Sequence, residues 1–268
     1  MNILVCIKQI LDPEVPSRDF RIDSDRLQAD PACANQVTNI FCENALETAL
    51  QLKDLNGGSV TVLSLGPEST EDTLRKALAM KADNAYRVLN DTSRLPDSAL
   101  TAKVLAAAID KMDAFDLILA GREAGDWGAG QTGGLLAEEL GLPFVAFVDE
   151  ISEEENDRLL LRQQTDDGWR KLSAVKPVVV SITNSDHNLP RIPKTRDIIL
   201  ANRKSITSWT LDEIGVSADQ FTKQNMASCV TEISIPEEKS DCEFIEGDNL
   251  EAKIDKFANR IAAIARSV

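Results

Sequence analysis

The sequence predicts an α/β protein with a Rossmann-like parallel sheet and helices on both faces. Short apolar runs alternate with helical patterns through about residue 148, and this alternation is typical of parallel sheets. The apolar runs, such as Val60–Leu65 and Leu117–Ala120, are continuous, as in strands that are covered on both faces. In addition, a glycine-rich loop between residues 121 and 132 joins a strand to a helix.

Local patterns predict the individual elements in chain order. The predicted strands are Ile3–Ile10, Val60–Leu65, Ala85–Leu89, Leu117–Ala120, Phe144–Val148 and Pro177–Thr183. Helices are predicted after Asn39, after Ser69 or Thr70, from Ser98 and from Thr132. Asn39 is a good cap for the first helix, and Ser69 or Thr70 is expected to cap the second. Gly141, with Pro143 just beyond it, ends the helix that follows the glycine-rich loop.

Antiparallel strands enter the pattern after residue 148. Two strand-like runs, Leu159–Arg162 and Arg170–Leu172, flank Asp166-Asp167-Gly168, which is typical of a hairpin turn. We expect a nucleotide-binding domain over residues 1–205, with this hairpin as an insertion at about 150–175. Residues 206–268 are expected to form a C-terminal extension, which ends in a helix with one apolar face over residues 250–264.

The composition excludes several classes of protein. The 268 residues carry a formal net charge of −15, and so acidic a surface repels nucleic acid and anionic lipid. No apolar stretch reaches the roughly 18–20 residues of a membrane span, and no signal peptide is evident, so we expect a cytoplasmic protein. Five scattered cysteines and one histidine, His187, show no metal-ligand spacing, so we expect no metal site and no catalytic residue.

The glycine-rich loop is the main candidate for ligand binding. The first amides of a helix lack internal partners, and the helix dipole adds partial positive charge there. Glycine lets the backbone approach an anion closely. A phosphate at Gly130–Thr132 is therefore the physical prediction, with Thr132 as helix cap, phosphate ligand or both. Plain tight turns also contain such glycines, and the spacing matches neither G-x-G-x-x-G nor G-x-x-x-x-G-K-[ST].

Other strand ends are expected to meet this loop. Ligands of parallel sheets bind outside the carboxyl ends of the strands. The strand ends near Cys6, Leu65 and Gly121, with the first helix start at residues 39–42, are therefore candidates for one nucleotide site. Core packing is the favoured explanation for Cys6 or Leu65 taken singly, because such residues are commonly buried.

Taken together, these segments resemble the β subunit of the electron transfer flavoprotein family over nearly the whole chain. The matching motifs are Val5-Cys6-Ile7-Lys8, Asn39-Ile40-Phe41-Cys42-Glu43, the stretch from Ala77 to Asp83, Gly130-Gln131-Thr132-Gly133, and Pro190-Arg191 followed by Ile198, Ala201 and Lys204. The resemblance implies a heterodimer with an α subunit, which carries most contacts to a redox-active FAD. It also implies a second nucleotide in this subunit, which is AMP in simple carriers and FAD in electron-bifurcating ones.

The resemblance implies nucleotide contacts at the places that the sheet argument marks. They are Cys6, Asn39, Ile40, Phe41, Cys42, Leu65, Gly121, Arg122, Glu123, Ala124, Gly125, Asp126, Trp127, Gly128, Ala129, Gly130, Gln131 and Thr132. Gly130 stands where many simple carriers have Asn, and Trp127 stands where small or acidic residues are usual. Because a smaller residue admits a larger ligand, we favour FAD over AMP and, with it, an electron-bifurcating complex.

A basic stretch at residues 188–204, here named the docking segment, resembles the loop by which this family docks on dehydrogenases. The predicted docking residues are Pro190, Arg191, Ile192, Lys194, Thr195 and Arg196. Thr195 stands where an exposed Leu is common, so Ile192 or the positive charge would replace that anchor. Such charge mainly sets encounter rate and orientation, and a solvated loop is the alternative. The implied partners are the α subunit, an acyl-CoA or other flavin dehydrogenase and, in a bifurcating complex, NADH and ferredoxin.

Two other classes of protein share such a sheet. A universal-stress-type ATP-binding module would lack the hairpin, the docking segment and the final helix. An adenylating or ATP-pyrophosphatase enzyme needs a phosphate loop after the first strand, where this chain has residues 8–13 instead. No side chain is placed as a general base or nucleophile, so the flavin would carry the chemistry.

Overall fold

The computed structural model describes residues 1–90, 96–222, 224–236 and 242–267. The strands in these ranges are β1 (Asn2–Cys6), β2 (Gln9–Leu11), β3 (Ile22–Asp23), β4 (Gln28–Ala29), β5 (Gln36–Thr38), β6 (Ser59–Gly66), β7 (Asn84–Leu89), β8 (Leu117–Gly121), β9 (Phe144–Glu154), β10 (Arg158–Thr165), β11 (Gly168–Val175), β12 (Val178–Ile182) and β13 (Thr207–Trp209). The helices are α1 (Ile40–Asn56), α2 (Glu71–Ala79), α3 (Ser98–Ile109), α4 (Thr132–Leu140), α5 (Thr195–Ala201) and α6 (Leu250–Ser267).

Nine strands form one large sheet, in the order β11-β10-β9-β12-β8-β1-β6-β7-β13. Neighbours from β9 to β13 run parallel, and only the β9–β10 and β10–β11 pairs are antiparallel. The chain leaves β1 for β6 on one side and returns through α3 to β8 on the other. The strand order therefore reverses at β1, which makes the carboxyl ends of β1 and β8 the topological switch point.

Helices cover both faces of this sheet, as the fold class predicts. One core contains α1 and α2, and a second core on the opposite face contains α3 and α4. Along β1, Val5 belongs to the first core and Leu4 to the second, and both are fully buried. Burial on both faces explains why the strands have continuous apolar runs instead of alternating patterns. The predicted α/β fold with a mostly parallel sheet is confirmed.

Several element boundaries differ from the prediction. The first strand ends at Cys6, and residues 9–11 form the separate strand β2, which pairs with β5. The hairpin of β10 and β11 continues the central sheet through β9. Among the strands and α-helices in the described ranges, three were not predicted, namely β5, which pairs with β2, β13, which extends the far edge of the sheet, and α5, which lies inside the docking segment.

The predicted cap residues Asn39 and Thr70 stand at the N-termini of α1 and α2, but neither caps its helix with a side-chain hydrogen bond. A 3-10 turn over Glu68–Thr70 leads into α2, and neither Ser69 nor Thr70 caps that helix with its side chain. The side chain of Ser69 instead donates to Gln9 over 3.0 Å. In both places a tertiary contact takes up the polar group that local rules assign to the helix end.

The chain divides into two compact units, Met1–Ile233 and Ser234–Val268. Residues 206–233, which the sequence groups with the C-terminal extension, belong to the first unit, where Ile214 and Phe221 are buried. Within that extension, residues 223, 237–241 and 268 lie outside the described residues. The second unit contains α6, a helix whose apolar side chains are about half exposed. Of the helices in the described ranges, none is long and apolar enough to cross a membrane.

Candidate functional site

The predicted strand ends lie side by side at the switch point. Cys6 is in register with Leu63 of β6 and with Ala120 of β8. Leu65 lies two residues after Leu63 on β6, and Gly121 lies one residue after Ala120 on β8. The carboxyl ends of β6, β1 and β8 therefore meet at one edge of the sheet.

The first turn of α1 lies directly against the end of β8. A Cβ atom at Gly121 would stand 2.9 Å from the backbone nitrogen of Cys42 and 2.9 Å from the backbone carbon of Phe41. Real Cβ atoms do not come so close to backbone, so this contact requires glycine. The predicted residues of α1 and of the glycine-rich loop are in direct contact at this point.

Asn39 holds the root of the glycine-rich loop. Its side-chain amide donates to the carbonyl of Glu123 over 2.8 Å and to Cys42 Sγ over 3.2 Å. Its side-chain oxygen accepts from the amide of Gly125 over 3.1 Å. Asn39 is only 1% exposed. Both polar ends of this buried side chain are thus used inside the protein.

Arg122 forms a second set of contacts at the loop root. Its guanidinium lies 4.5 Å from the ring centroid of Phe41, a cation–π distance. It also donates to Glu123 Oε1 over 2.7 and 2.9 Å and to the hydroxyl of Thr183 over 3.2 Å. Sequence reasoning missed Thr183, and the available signal was a hydroxyl residue directly after a buried strand.

Lys8 is the other cation at this edge, and sequence reasoning did not place it in the site. Its ammonium group is 2.7 Å from Asp126 Oδ2 and 2.8 Å from Asp126 Oδ1. Asp126 Oδ1 also accepts from the amide of Trp127 over 3.0 Å. The signal in the sequence was a cation that closely follows a buried strand.

The tip of the loop is open and leads into α4. Residues 125–131 are exposed, and the backbone has a positive φ at Gly128 (61°) and Gly130 (64°). Gln131 precedes α4 without a side-chain cap, and Thr132 is the first helical residue. The first amides of α4 therefore have no partner within the helix, and its dipole adds partial positive charge.

These residues fit the phosphate of a nucleotide. Lys8 and Arg122 are each paired with a carboxylate, so the backbone amides and the helix dipole are the groups that favour an anion here. A Cβ atom at Gly128 would have no neighbour within 4 Å, which leaves room above the loop. Trp127 is 46% exposed and offers an aromatic surface beside the same turn.

The two cysteines beneath this edge are not placed as nucleophiles. Burial, with a smaller contribution from nearby Cys42, raises the pKa of Cys6 to about 12. Burial also raises the pKa of Cys42, although the hydrogen bond from Asn39 opposes that shift. Both thiols are therefore uncharged near neutral pH and act as small buried groups. Among the described residues, no three side chains of His, Cys, Asp or Glu cluster as metal ligands would.

The docking segment contacts a later part of α1. Arg191 donates to Glu47 over 2.8 and 3.0 Å and lies 2.9 Å from Asp54. These contacts, with the Glu47 hydrogen bond first, raise the pKa of Arg191 further. Ile192 is 91% exposed, and the other predicted docking residues beyond it, Lys194, Thr195 and Arg196, are exposed as well. Pro190 is partly buried beside the anchored arginine.

Two concavities lie away from this edge. One, of about 240 Å³, is lined by polar residues including Asp83, Tyr86 and Lys204. The other, of about 280 Å³, lies between α3 and α4 and includes Met112 and Leu142. Neither contains a residue of the glycine-rich loop.

Comparison with known proteins identifies the family. A model of the electron transfer flavoprotein domain matches residues 32–214. The electron transfer flavoprotein subunit beta of Thermoanaerobacterium thermosaccharolyticum is 33% identical over 262 residues, which cover 97% of this chain and 98% of the relative. The chain belongs to the electron transfer flavoprotein β-subunit family. The resemblance that the sequence motifs carry is therefore confirmed.

Other members of the family align over most of the chain. The electron transfer flavoprotein subunit beta of Megasphaera elsdenii is 34% identical over 274 residues and covers 98% of both chains. A caffeyl-CoA reductase-Etf complex subunit, CarD of Acetobacterium woodii, is 33% identical over 220 residues and covers 82% of both chains. Members of this electron transfer flavoprotein family work with flavin and in complexes.

Proposed function

We propose that this chain is the β subunit of an electron carrier that works with an α subunit and FAD. The complex would pass electrons between NADH or a flavin dehydrogenase and a redox partner. No residue of the candidate site is arranged as a general base or nucleophile, so the flavin carries the redox chemistry. This chain contributes a nucleotide site and surfaces for its partners.

One observation supports the proposed nucleotide site. The glycine-rich loop is clamped to the first turn of α1 through buried Asn39, while the first amides of α4 have no partner within their helix. This arrangement lies at the topological switch point, where such sheets bind ligands. It supports an adenylate whose phosphate rests on residues 130–132.

The loop favours FAD over AMP as the nucleotide in this subunit. A side chain at Gly130 would meet only the carbonyl of Arg122 at 3.4 Å, so the glycine leaves space that an Asn would fill. Exposed Trp127 beside it can cover a large ligand. With FAD in this subunit, the complex would be electron-bifurcating and would use NADH and ferredoxin. The relative named as a subunit of a caffeyl-CoA reductase-Etf complex supports this choice.

AMP is the second candidate, because the same amides and dipole accept either nucleotide. The experiment is to purify the chain with its α subunit, release the nucleotides with acid, and identify them by chromatography and absorbance. Two flavins per complex are expected. AMP together with a single flavin would support the simple carrier, and the absence of any nucleotide beyond the one flavin would contradict the site.

A matched pair of variants makes this experiment sharper. Gly130→Asn is expected to lower the second flavin per complex, because it fills the space above the loop. Gly141→Asn, at the C-terminal end of α4, is the control, since Gly141 has the same positive φ of 64° and its Cβ would have no neighbour within 4 Å. Equal flavin content in both variants would contradict the role of Gly130.

The docking segment is proposed as the contact for an acyl-CoA or other flavin dehydrogenase. Arg191 is already paired with Glu47 and Asp54. Its role is therefore to fix the docking segment on α1, and it does not contact the partner. Exposed Ile192 and the charges of Lys194 and Arg196 remain for docking. An apolar anchor with a basic rim is typical of residues that dominate interface energy and orientation.

A further inference from the structure

Two consecutive residues after β1 reach to opposite sides of the switch point. Lys8 bonds Asp126 in the loop that follows β8, on one side of β1. Gln9 bonds the carbonyl and the hydroxyl of Ser69, in the turn that follows β6 on the other side. The chain at residues 8–9 therefore ties together the three strand ends at which the nucleotide site lies.

The root and the tip of the glycine-rich loop are held by different contacts. At the root, Asn39 bonds residues 123 and 125 through buried, uncharged hydrogen bonds. The root also packs on the chain after β1, because a Cβ at Gly125 would stand 3.3 Å from the side chain of Ile10. At the tip, Asp126 is held by Lys8, and the side chains of this pair are 24% and 43% exposed.

The tip, residues 126–130, continues as a small exposed turn from the anchored Gly125. The amide of Gly128 donates to the carbonyl of Ala124 over 2.8 Å, which closes residues 124–128 on themselves. Beyond Asp126, a Cβ atom at Gly128 would have no neighbour within 4 Å. A partly exposed ion pair is weak and is screened by salt, whereas a buried anchor opens rarely. The turn therefore opens at Lys8–Asp126 before it opens at Asn39.

We propose that Lys8 is a positioning residue of the nucleotide site, and that its ion pair with Asp126 is a latch that sets how fast the nucleotide leaves. The latch holds the tip of the loop in line with the start of α4, without itself touching the nucleotide. This inference rests on the proposed nucleotide site and deepens it. It names the residue that controls exchange, and it makes exchange dependent on ionic strength.

The test uses the α/β complex stripped of its nucleotides and reloaded with a fluorescent N-methylanthraniloyl derivative of AMP. Stopped-flow displacement by excess AMP gives the dissociation rate for the wild type, Lys8→Met, Asp126→Asn and the double variant. Each single variant should speed dissociation roughly two- to fivefold, the range expected for a partly exposed pair. The double variant should match the singles, because all three remove the same contact.

The sign of the Asp126→Asn effect separates the latch from direct binding. If Lys8 bound the phosphate itself, Asp126→Asn would free it and slow dissociation, while Lys8→Met would speed it. If the two single variants changed the dissociation rate in opposite directions, or left it equal to the wild-type rate, the latch would be overturned. The proposed nucleotide site would still stand. A wild-type complex that binds neither the probe nor FAD would overturn both.

Ionic strength gives an independent readout that a merely structural role would not change. Raising salt from about 0.05 to about 0.5 M should speed dissociation more in the wild type than in either charge variant, because only the wild type has a latch to screen. Ser69→Ala is the matched control, since it removes an uncharged contact on the opposite side of β1. This variant should keep the wild-type salt response, and equal salt responses in all proteins would contradict the latch.

Discussion

Two loops of this protein lie on the same helix, and different forces hold them there. The glycine-rich loop contacts the first turn of α1 through the uncharged, buried side chain of Asn39. The docking segment contacts the later turns of α1 through the ion pair of Arg191 with buried Glu47. The first loop exposes backbone amides, and the second exposes the apolar side chain of Ile192.

The two anchors differ because the two loops are proposed to bind different ligands, a nucleotide and a protein partner. A phosphate is an anion, so an anchor such as Asn39 adds no carboxylate to the loop, whose own Glu123 and Asp126 are each paired with a cation. A protein partner requires a stable protrusion, and an ion pair at its base leaves the exposed tip free to make contacts. The same helix can thus serve a nucleotide at its first turn and a partner at its later turns.

The largest expected effect on stability comes from adding a methyl group at Gly121, where α1 and the glycine-rich loop are in tight contact. Gly121→Ala would place a Cβ 2.9 Å from backbone atoms of Phe41 and Cys42, and neither can move aside. We expect a loss of about 3 kcal/mol of unfolding free energy, as for severe overpacking, with loss of the nucleotide. Urea unfolding measures the first effect and nucleotide content the second. Unchanged stability would show that the two elements are not in this contact.

The second largest loss of stability is expected at the base of the docking segment, without any change at the nucleotide site. Arg191→Met leaves the carboxylate of Glu47, which is 5% exposed, without its main partner. We expect a loss of about 2–3 kcal/mol in urea unfolding, because an unpaired buried charge is costly. Arg196→Met removes an exposed charge and should cost less than about 0.5 kcal/mol. Nucleotide content should stay constant in both variants, and its loss in Arg191→Met would mean that the two loops are coupled.

Acid should weaken the ion pair between Asp149 of β9 and Arg162 of β10 more than the uncharged Asn39 anchor. Burial opposes ionisation of Asp149, but hydrogen bonds from Arg162 and Gln164 prevail, and the pKa of Asp149 is lowered in the folded state. A lowered carboxyl pKa gives stability that is complete above the unfolded pKa of about 3.9 and is lost as pH falls through the folded pKa.

The unfolding free energy that this group contributes should decline over the interval in which the pH falls from about 5 through the lowered pKa. Asp149→Asn cannot titrate, so its stability should be lower at pH 7 and should change less over this interval. Urea midpoints at each pH provide the measurement. Parallel pH curves for the wild type and the variant would rule out this contribution.

The smallest effect on stability is expected at the tip of the docking segment. Ile192 is 91% exposed, so Ile192→Asp should change the unfolding free energy by less than about 0.5 kcal/mol. Electron transfer to the dehydrogenase should nevertheless slow about tenfold or more, as for a central apolar anchor. Stopped-flow flavin oxidation measures this rate, with Leu55→Asp, an exposed leucine on α1, as the control. Equal rates in both variants would place docking elsewhere.

Local patterns predicted the elements that span the sheet, and they failed where short pieces depend on their neighbours. The strand β13 has three residues and exists because it pairs with β7. The helix α5 has seven residues, and its apolar run Ile198-Ile199-Leu200 is exposed, so it buries only Ala201 and has no buried face of several residues for a pattern to reveal. Periodicity detects a buried face, and it carries no signal where the chain buries none.

The same limit applies to the candidate site. Glycines between a strand and a helix predicted the position of the nucleotide loop, because backbone freedom is a property of the residue itself. Asn39 was predicted as a helix cap, yet its side chain bonds a loop that lies 84 residues away in sequence. Arg191 was predicted as a docking charge, yet it pairs with Glu47, 144 residues away.

The sequence by itself determined the alternation of strands and helices, the glycine-rich turn and the family, since these depend on residue type and short-range order. The tertiary structure alone decided which polar side chains remain available to a ligand or partner. A hydrogen bond or ion pair is formed by whichever group lies within about 3 Å after folding, and spacing along the chain does not encode that distance.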